Sequence, residues 1–345
     1  MRPKNGRQSS ATDNYRPETN AMIRFGALSA ARITPDALLY PCMNEPGASV
    51  SAVAARDQAR AQAFASAHRI PAVASDYQAL INRDDVDAVY IALPINLHLE
   101  WTLKALQAGK HVLCEKAIAC NEQEARQMAE AAAAAGRVLM EAFHYRYHPL
   151  FEEARRIYHS GQLGTIRHIN AVFTTAINDP EDIRMNYATA GGVTMDIGCY
   201  PLSWIRHLTG AEPEVTAATA ITGPDRVDVM LSTELQIDDI AVTTTGDMRP
   251  GTRTAAYIEV QGSRGSMRVI NPLAPQMGHA IITDIDGEKH TFTTDRRTSY
   301  CYQLDAFLAA VTGASPIATG AEDAVRQMAL TDACYLAAGL PLRGL

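Results

Sequence analysis

Between residues 23 and 142, short apolar runs alternate with helical stretches, and that alternation constrains the fold more than any other feature of the chain. MIRFGAL reads as a strand entering a glycine turn, and ARITPDALLYPCM as a helix broken near Pro35. Residues 50–55 (VSAVAA) form the next strand, after which Asp57 is placed to cap the helix DQARAQAFASAH. Asp76 caps the short helix DYQALIN, and residues 86–93 (VDAVYIAL) are another strand. Asn96 is the expected cap of NLHLEWTLKALQAG, which stops at Gly109. The strand HVLCE, the helix NEQEARQMAEAAAAAG and the strand RVLMEAF complete the series. Strands separated by helices of this length imply a parallel sheet with helices on both faces.

After about residue 147 the pattern changes. The helix HPLFEEARRIYHSG leads into a strand over residues 165–175, and a helix is expected over 193–208. Strand-like runs follow at 215–221, 227–236, 240–246, 255–261, 266–270 and 279–285, joined by turn signals such as GPD, QGSRG and DGE. Helices near 303–311 and 321–338 close the chain. The expected fold class is a dinucleotide-type α/β domain over residues 22–145. An α+β domain with a mostly antiparallel open sheet follows over 146–345, its last helices free to pack back on the first. A chain of 345 residues is long enough for two cores. Residues 1–21 carry no apolar cluster and read as a disordered tail, or a leader upstream of Met22.

Composition removes several function classes. The chain has 31 basic and 38 acidic residues, a net charge of −7, which argues against a nucleic-acid surface. Its apolar runs fall short of the roughly 20 residues a membrane span needs. Six cysteines without a C-x-x-C pair give no metal framework and point to a reducing, cytoplasmic setting.

The first turn reads Gly26-Ala27-Leu28-Ser29-Ala30-Ala31, a dinucleotide fingerprint in which serine takes the second glycine position. The end of the second strand, Ala54-Ala55-Arg56-Asp57, has alanine where a ribose-binding acid would stand. With Asp57 assigned to the helix cap, Arg56 is left to meet a 2′-phosphate. This favours NADP over NAD, though NAD remains possible.

Four segments, FGALSAARI, ALPINLHLEW, AGKHVLCEKAIACNEQEA with RVLMEAFHYRYHPLF, and GGVTMDIGCYPLSWIRHLTG, together resemble the Gfo/Idh/MocA oxidoreductases. Within that family the dimeric dihydrodiol and NADP-dependent xylose dehydrogenases resemble the chain most. The resemblance implies a Rossmann domain, a site between the domains, and oligomers, commonly dimers, formed through the open sheet. The family's E-K-P motif falls on Glu115-Lys116-Ala117, making Lys116 the carried-over catalytic lysine and placing Glu115 and Lys116 at the cofactor; alanine replaces the proline at which the family's turn is cis. Its P-N-x-x-H segment falls on Pro94-Ile95-Asn96-Leu97-His98, which keeps Pro94 and His98 beside the cofactor but replaces the asparagine with Ile95. The family's G-G-G becomes Gly191-Gly192-Val193.

Asp196 and Tyr200 lie four residues apart and would share one helix face. The resemblance gives Tyr200 the proton transfer and makes Asp196 a hydrogen-bonding anchor. Lowering a tyrosine pKa from about 10 to neutrality requires roughly 4 kcal/mol. A lysine cation about 4 Å away supplies about that much at an effective dielectric of ~20. Lys116 is therefore expected to poise Tyr200, with His98 as the next candidate proton carrier. Arg146, Asp179 and Arg184 are candidate substrate contacts. The leading reading is an NADP-dependent oxidoreductase acting on a small sugar, polyol or cyclic diol. The alternatives are a redox-neutral epimerase or glycosidase that retains its nucleotide, and a non-enzymatic NADP sensor.

Overall fold

The computed structural model describes residues 22–344, so the expectation for residues 1–21 lies outside it. Strands β1 (Ile23–Leu28), β2 (Ala48–Ala54), β3 (Ala72–Val73), β4 (Ala88–Ile91), β5 (His111–Cys114) and β6 (Leu139–Glu141) form one sheet in the order β3-β2-β1-β4-β5-β6. Every pairing in it is parallel. Residues on β4 are buried on both faces, as a sheet covered on two sides requires. Asp57, Asp76 and Asn121 each accept a backbone N–H at the start of the helices Gln58–His68, Tyr77–Ile81 and Glu122–Ala135. Gly26 serves packing: a Cβ there would lie 2.4 Å from Leu80 Cδ2.

Asn96 is not a cap. A tight turn over Ile95–Leu97 precedes the helix His98–Gln107, whose first turn has no side-chain cap. The helix around Pro35 is broken as expected, wide-wound over Pro35–Leu39 and α-helical over Tyr40–Met43.

The second sheet contains β7 (Ile166–Thr174), β8 (Glu214–Thr222), β9 (Asp228–Ile237), β10 (Ile240–Asp247), β11 (Ala255–Gly262), β12 (Gly265–Ile270), β13 (Ala280–Ile285) and β14 (Glu288–Phe292). Its order is β14-β13-β12-β11-β7-β10-β9-β8, antiparallel except for β7 with β10. The sequence reading missed β14, a polar edge strand, and β3, which has only two residues. One face of this sheet packs on the helices Pro149–His159 and Cys199–Thr209 through Ile169, Ala171, Val242 and Ile258. The helices Ser299–Val311 and Ala321–Ala337 return to the first sheet, one to each face: Leu304 and Phe307 join Phe25 and Tyr90, whereas Met328 and Tyr335 join Leu28 and Val89. Among the described residues, no helix is long and apolar enough to cross a membrane.

Candidate active site

The carboxyl ends of β1, β2, β4, β5 and β6 converge on one edge of the parallel sheet, where this architecture binds ligands. After β1 the chain turns at Ser29, whose φ of 94° is glycine-like, and the Ser29 N–H donates to the Ala54 carbonyl at 2.8 Å. Leu28 is fully buried, Ala30 is buried and Ala31 half-buried beside this turn. At the end of β2, Ala55 is buried and Arg56 exposed, and Asp57 is engaged with the Arg60 N–H at 3.0 Å. The Arg60 guanidinium reaches the Ala30 carbonyl at 2.9 Å. Two guanidiniums and no unengaged carboxylate at this strand end suit a nucleotide 2′-phosphate better than a bare ribose. Arg60 escaped the sequence reading, although it lies one helical turn beyond Arg56.

Beyond β5, Glu115 and Lys116 begin a turn in which the Lys116–Ala117 peptide bond is cis. Glu115 accepts from the Tyr90 hydroxyl at 2.6 Å, and burial raises its pKa. Glu141, at the end of β6, holds the Ile118 N–H at 3.0 Å from below, and burial pushes its carboxyl up to about 8. His98 clamps the turn from the side, with Nδ1 3.0 Å from the Ala117 carbonyl and Nε2 2.9 Å from the Leu93 carbonyl, next to Pro94. Its ring is 1 % exposed and both nitrogens are occupied by backbone oxygens. His98 thus lies between the Lys116 turn and the Leu93 carbonyl, away from solvent.

Lys116 reaches across to the second half of the chain. Its ammonium donates to Asp196 Oδ1 at 2.9 Å and to the Asp196 carbonyl at 2.8 Å. Arg184 Nε donates to the other carboxylate oxygen at 2.6 Å. Burial opposes both charges of the lysine–aspartate pair. Asp196 nevertheless lifts the Lys116 pKa, and Lys116 with Arg184 holds the Asp196 carboxyl below its usual range. Asp196 sits in a wide-wound turn (Thr194–Gly198) that continues into the helix Cys199–Thr209 carrying Tyr200. The entry loop needs its glycines: Cβ atoms would lie 2.5 Å from the Arg184 carbonyl oxygen at Gly191 and 2.1 Å from Asp228 Oδ1 at Gly192.

The Lys116 ammonium lies 5.4 Å from the centre of the Tyr200 ring. Burial pushes the Tyr200 phenol well above its usual pKa, with Tyr300 and Cys199 adding to the rise. The expectation that Lys116 brings Tyr200 toward neutrality is thus corrected: the cation faces the ring and its charge is spent on Asp196. The Tyr200 hydroxyl instead lies 3.4 Å from His144 Nε2.

Of the substrate candidates, Arg184 joins this cluster. Asp179 does not, being exposed and turned onto the Glu181 N–H at 3.0 Å. Arg146 is ion-paired with Glu152 and lies over the Phe151 ring, while its buried Nε has no hydrogen-bond partner. Among the described residues no group of three or more His, Cys, Asp or Glu could hold a metal ion.

Residues 26–143 match the model of an oxidoreductase family with an NAD-binding Rossmann fold, and residues 151–268 match the GFO/IDH/MocA C-terminal domain. The chain is 35% identical over 318 residues to D-xylose 1-dehydrogenase (NADP(+)) 2 of Haloferax volcanii, covering 91% of this chain and 96% of that protein. It is 33% identical over 219 residues to trans-1,2-dihydrobenzene-1,2-diol dehydrogenase of Xenopus laevis, covering 62% of this chain and 65% of that protein. Among solved structures, a 3-ketoreductase from Actinomadura kijaniata in complex with NADP and TDP-benzene superimposes with a TM-score of 0.85 at 30% identity, covering 92% of this chain and 98% of that one. Variant structures of that reductase replace a tyrosine by phenylalanine and a lysine by alanine, at positions 84 residues apart.

Proposed function

Because the chain belongs to the Gfo/Idh/MocA oxidoreductase family, we propose that it moves hydride between NADP and the hydroxyl-bearing carbon of a small sugar, polyol or cyclic diol. The observation that carries this reading is the convergence of Lys116, Asp196 and Tyr200, from opposite halves of the chain, at the edge of the parallel sheet. Lys116 and Tyr200 are 84 residues apart here, the spacing of the two positions altered in the ketoreductase variants. Residues 22–145 hold the nucleotide in this reading, and the remainder supplies the substrate side.

NADP accepts or returns the hydride when bound; Gly26 to Ala31 carry the turn that would face its pyrophosphate, and Arg56 with Arg60 its 2′-phosphate. Lys116, fixed by two bonds to Asp196, keeps one N–H for the substrate oxygen. Tyr200 exchanges the hydroxyl proton. Arg184, holding Asp196 from the far side, keeps the carboxylate from turning toward the ligand. A screen of D-xylose, other pentoses and hexoses, inositols and dihydrodiols with both nucleotides tests this at the reduced-nicotinamide absorbance band. Failure of every alcohol to reduce either nucleotide would refute it.

Cofactor choice follows from the β2 end. Arg56→Ala is expected to weaken NADPH binding about tenfold and to leave NADH binding nearly unchanged, as read by fluorescence titration. Equal losses for the two nucleotides would remove Arg56 from 2′-phosphate recognition.

The outer face of the second sheet displays Asn170, Glu234, Thr243, Tyr257 and Arg268, and among the described residues no helix packs on that side. We assign this face to a homodimer. Light scattering at micromolar concentration is expected to return at least twice the 37.4 kDa chain mass, and a monomer would dismiss the assignment. The six cysteines are all unpaired, consistent with a reducing, cytoplasmic setting.

A further inference from the structure

A tyrosine whose pKa is raised is a poor base if it must first become tyrosinate. The residues behind Tyr200 offer another route. Its hydroxyl meets His144 Nε2 at 3.4 Å, His144 Nδ1 meets Ser299 Oγ at 2.8 Å, and Ser299 Oγ meets Gln276 Oε1 at 3.3 Å. The Gln276 end fixes the direction of the row, since an amide oxygen only accepts. Ser299 then donates to Gln276 and accepts from His144, which carries its proton on Nδ1 and accepts from Tyr200 on Nε2. All four groups are satisfied by one tautomer of one neutral ring. His144 and Ser299 are buried, Gln276 is half-buried, and the His144 ring stacks on Tyr300 with centroids 4.1 Å apart. Burial pushes the His144 pKa down to about 3, and the nearby Lys116 and His148 add to the fall. The imidazole is therefore neutral under working conditions, as the row requires.

With the phenolic proton directed at His144, a lone pair of the Tyr200 oxygen is left for the substrate. We propose that His144 and Ser299 form a proton relay that carries the phenolic proton of Tyr200 away as the substrate hydroxyl proton arrives. In alcohol oxidation the carbon gives hydride to the oxidised nicotinamide, and the substrate O–H proton bonds to the Tyr200 oxygen. The phenolic O–H bond breaks toward His144 Nε2, the Nδ1–H bond breaks toward Ser299 Oγ, and the seryl proton leaves to water beside Gln276. The alcohol is oxidised, the nucleotide reduced, and one proton is released. After the product leaves, Tyr200 gives the proton it gained to water at the open site while Nε2–H returns to the phenol oxygen. Ser299 re-protonates Nδ1 and water re-protonates Ser299. This restores the starting tautomer with one net proton released, and carbonyl reduction runs the row in reverse. Tyr200 stays a neutral phenol throughout. His144 and Ser299 act through Tyr200 without touching the substrate, and the inference rests on the reading of Tyr200 as the proton-transfer residue.

Two measurements on the full chain test it. The first is ¹⁵N NMR of histidine-labelled protein without substrate, with His144 assigned by the resonance lost in His144→Asn. The expected signature is a neutral ring protonated on Nδ1 between pH 5 and 8, whose Nε2 shift moves in Tyr200→Phe. A ring protonated on Nε2, or an Nε2 shift indifferent to Tyr200→Phe, would overturn the relay. The second is a proton inventory of D-xylose oxidation by NADP⁺ in mixed light and heavy water. The wild type should give a curved dependence on deuterium fraction. Ser299→Ala should give a straight one, with the rate lowered roughly tenfold, less than the loss from Tyr200→Phe. A straight wild-type plot, or a Ser299→Ala enzyme with unchanged rate and curvature, refutes the relay alone. A wild type that oxidises neither D-xylose nor any other alcohol overturns the parent reading instead.

Discussion

Tyr200→Phe is expected to lower turnover by about 10² or more while the chain stays folded and binds nucleotide normally. The ring keeps its edge-on contacts with Phe143 and Phe173, so the loss is confined to one hydroxyl. Removing it strips His144 Nε2 of its partner, a cost of about 1–3 kcal/mol in stability. Stopped-flow kinetics with thermal unfolding on the same sample separates the two effects. Lys116→Met should damage turnover to a similar degree, but for a different reason than the sequence suggested. Because the ammonium is bound to Asp196 and lies over the ring face, the principal loss is a donor to the substrate oxygen. The apparent pKa of the residual rate should therefore stay where it was; an upward move would restore the lysine as the group that tunes the tyrosine.

Arg343→Leu is expected to destabilise the protein by about 3–5 kcal/mol, seen as a lower urea midpoint with unchanged slope. The Arg343 side chain is fully buried, ion-paired to Asp228 at 2.5 Å, bonded to the Gly191 carbonyl at 2.9 Å, and flanked by the rings of Tyr187 and Tyr335. Asp228 in turn accepts from the Thr194 N–H at 2.9 Å and from its hydroxyl at 2.6 Å. Without the guanidinium, an aspartate whose pKa burial already raises would be left uncompensated. The same bonds hold the loop from Gly191 to Thr194, two residues before Asp196, so activity should fall with stability. Adding Asp228→Asn to Arg343→Leu should recover part of the loss, because the charge left behind is then gone. Losses that simply add would mean the two residues are not coupled.

The first half of the fold was legible because its signals are local. Alternating apolar runs, Asp57 and Asp76 before helices, and glycines after them are each decided within a few residues. Asn96 misled because a polar residue before a helix resembles a cap even when the chain is already wound. Sequence and geometry bring the same residues together at Lys116, Asp196 and Tyr200, whereas Arg184, read as a substrate contact, bonds Asp196. The site was illegible where a residue's partner lies far along the chain. His98 meets Ala117, His144 meets Ser299 and Arg343 meets Asp228 across separations that no local pattern records. Arg146 and Asp179, read as substrate contacts, have their first partners within six positions of themselves, Glu152 and the Glu181 N–H.

The two terminal helices clasp the first sheet from opposite faces, and this reverses the order in which the halves are completed. Residues 23–141 leave the ribosome first and cover much of the sheet themselves, through Leu38, Ala65 and Ile70 beside Phe25 and Tyr90 and through Leu80, Ile81 and Leu106 beside Leu28 and Val89. Yet neither cluster is complete until Phe307, and then Met328 and Tyr335, arrive. The antiparallel sheet lies between these events in sequence, so it can assemble while each face of the first sheet still lacks its last helix. The domain that is begun first is finished last, and a truncation anywhere before residue 335 leaves it without one of its two lids.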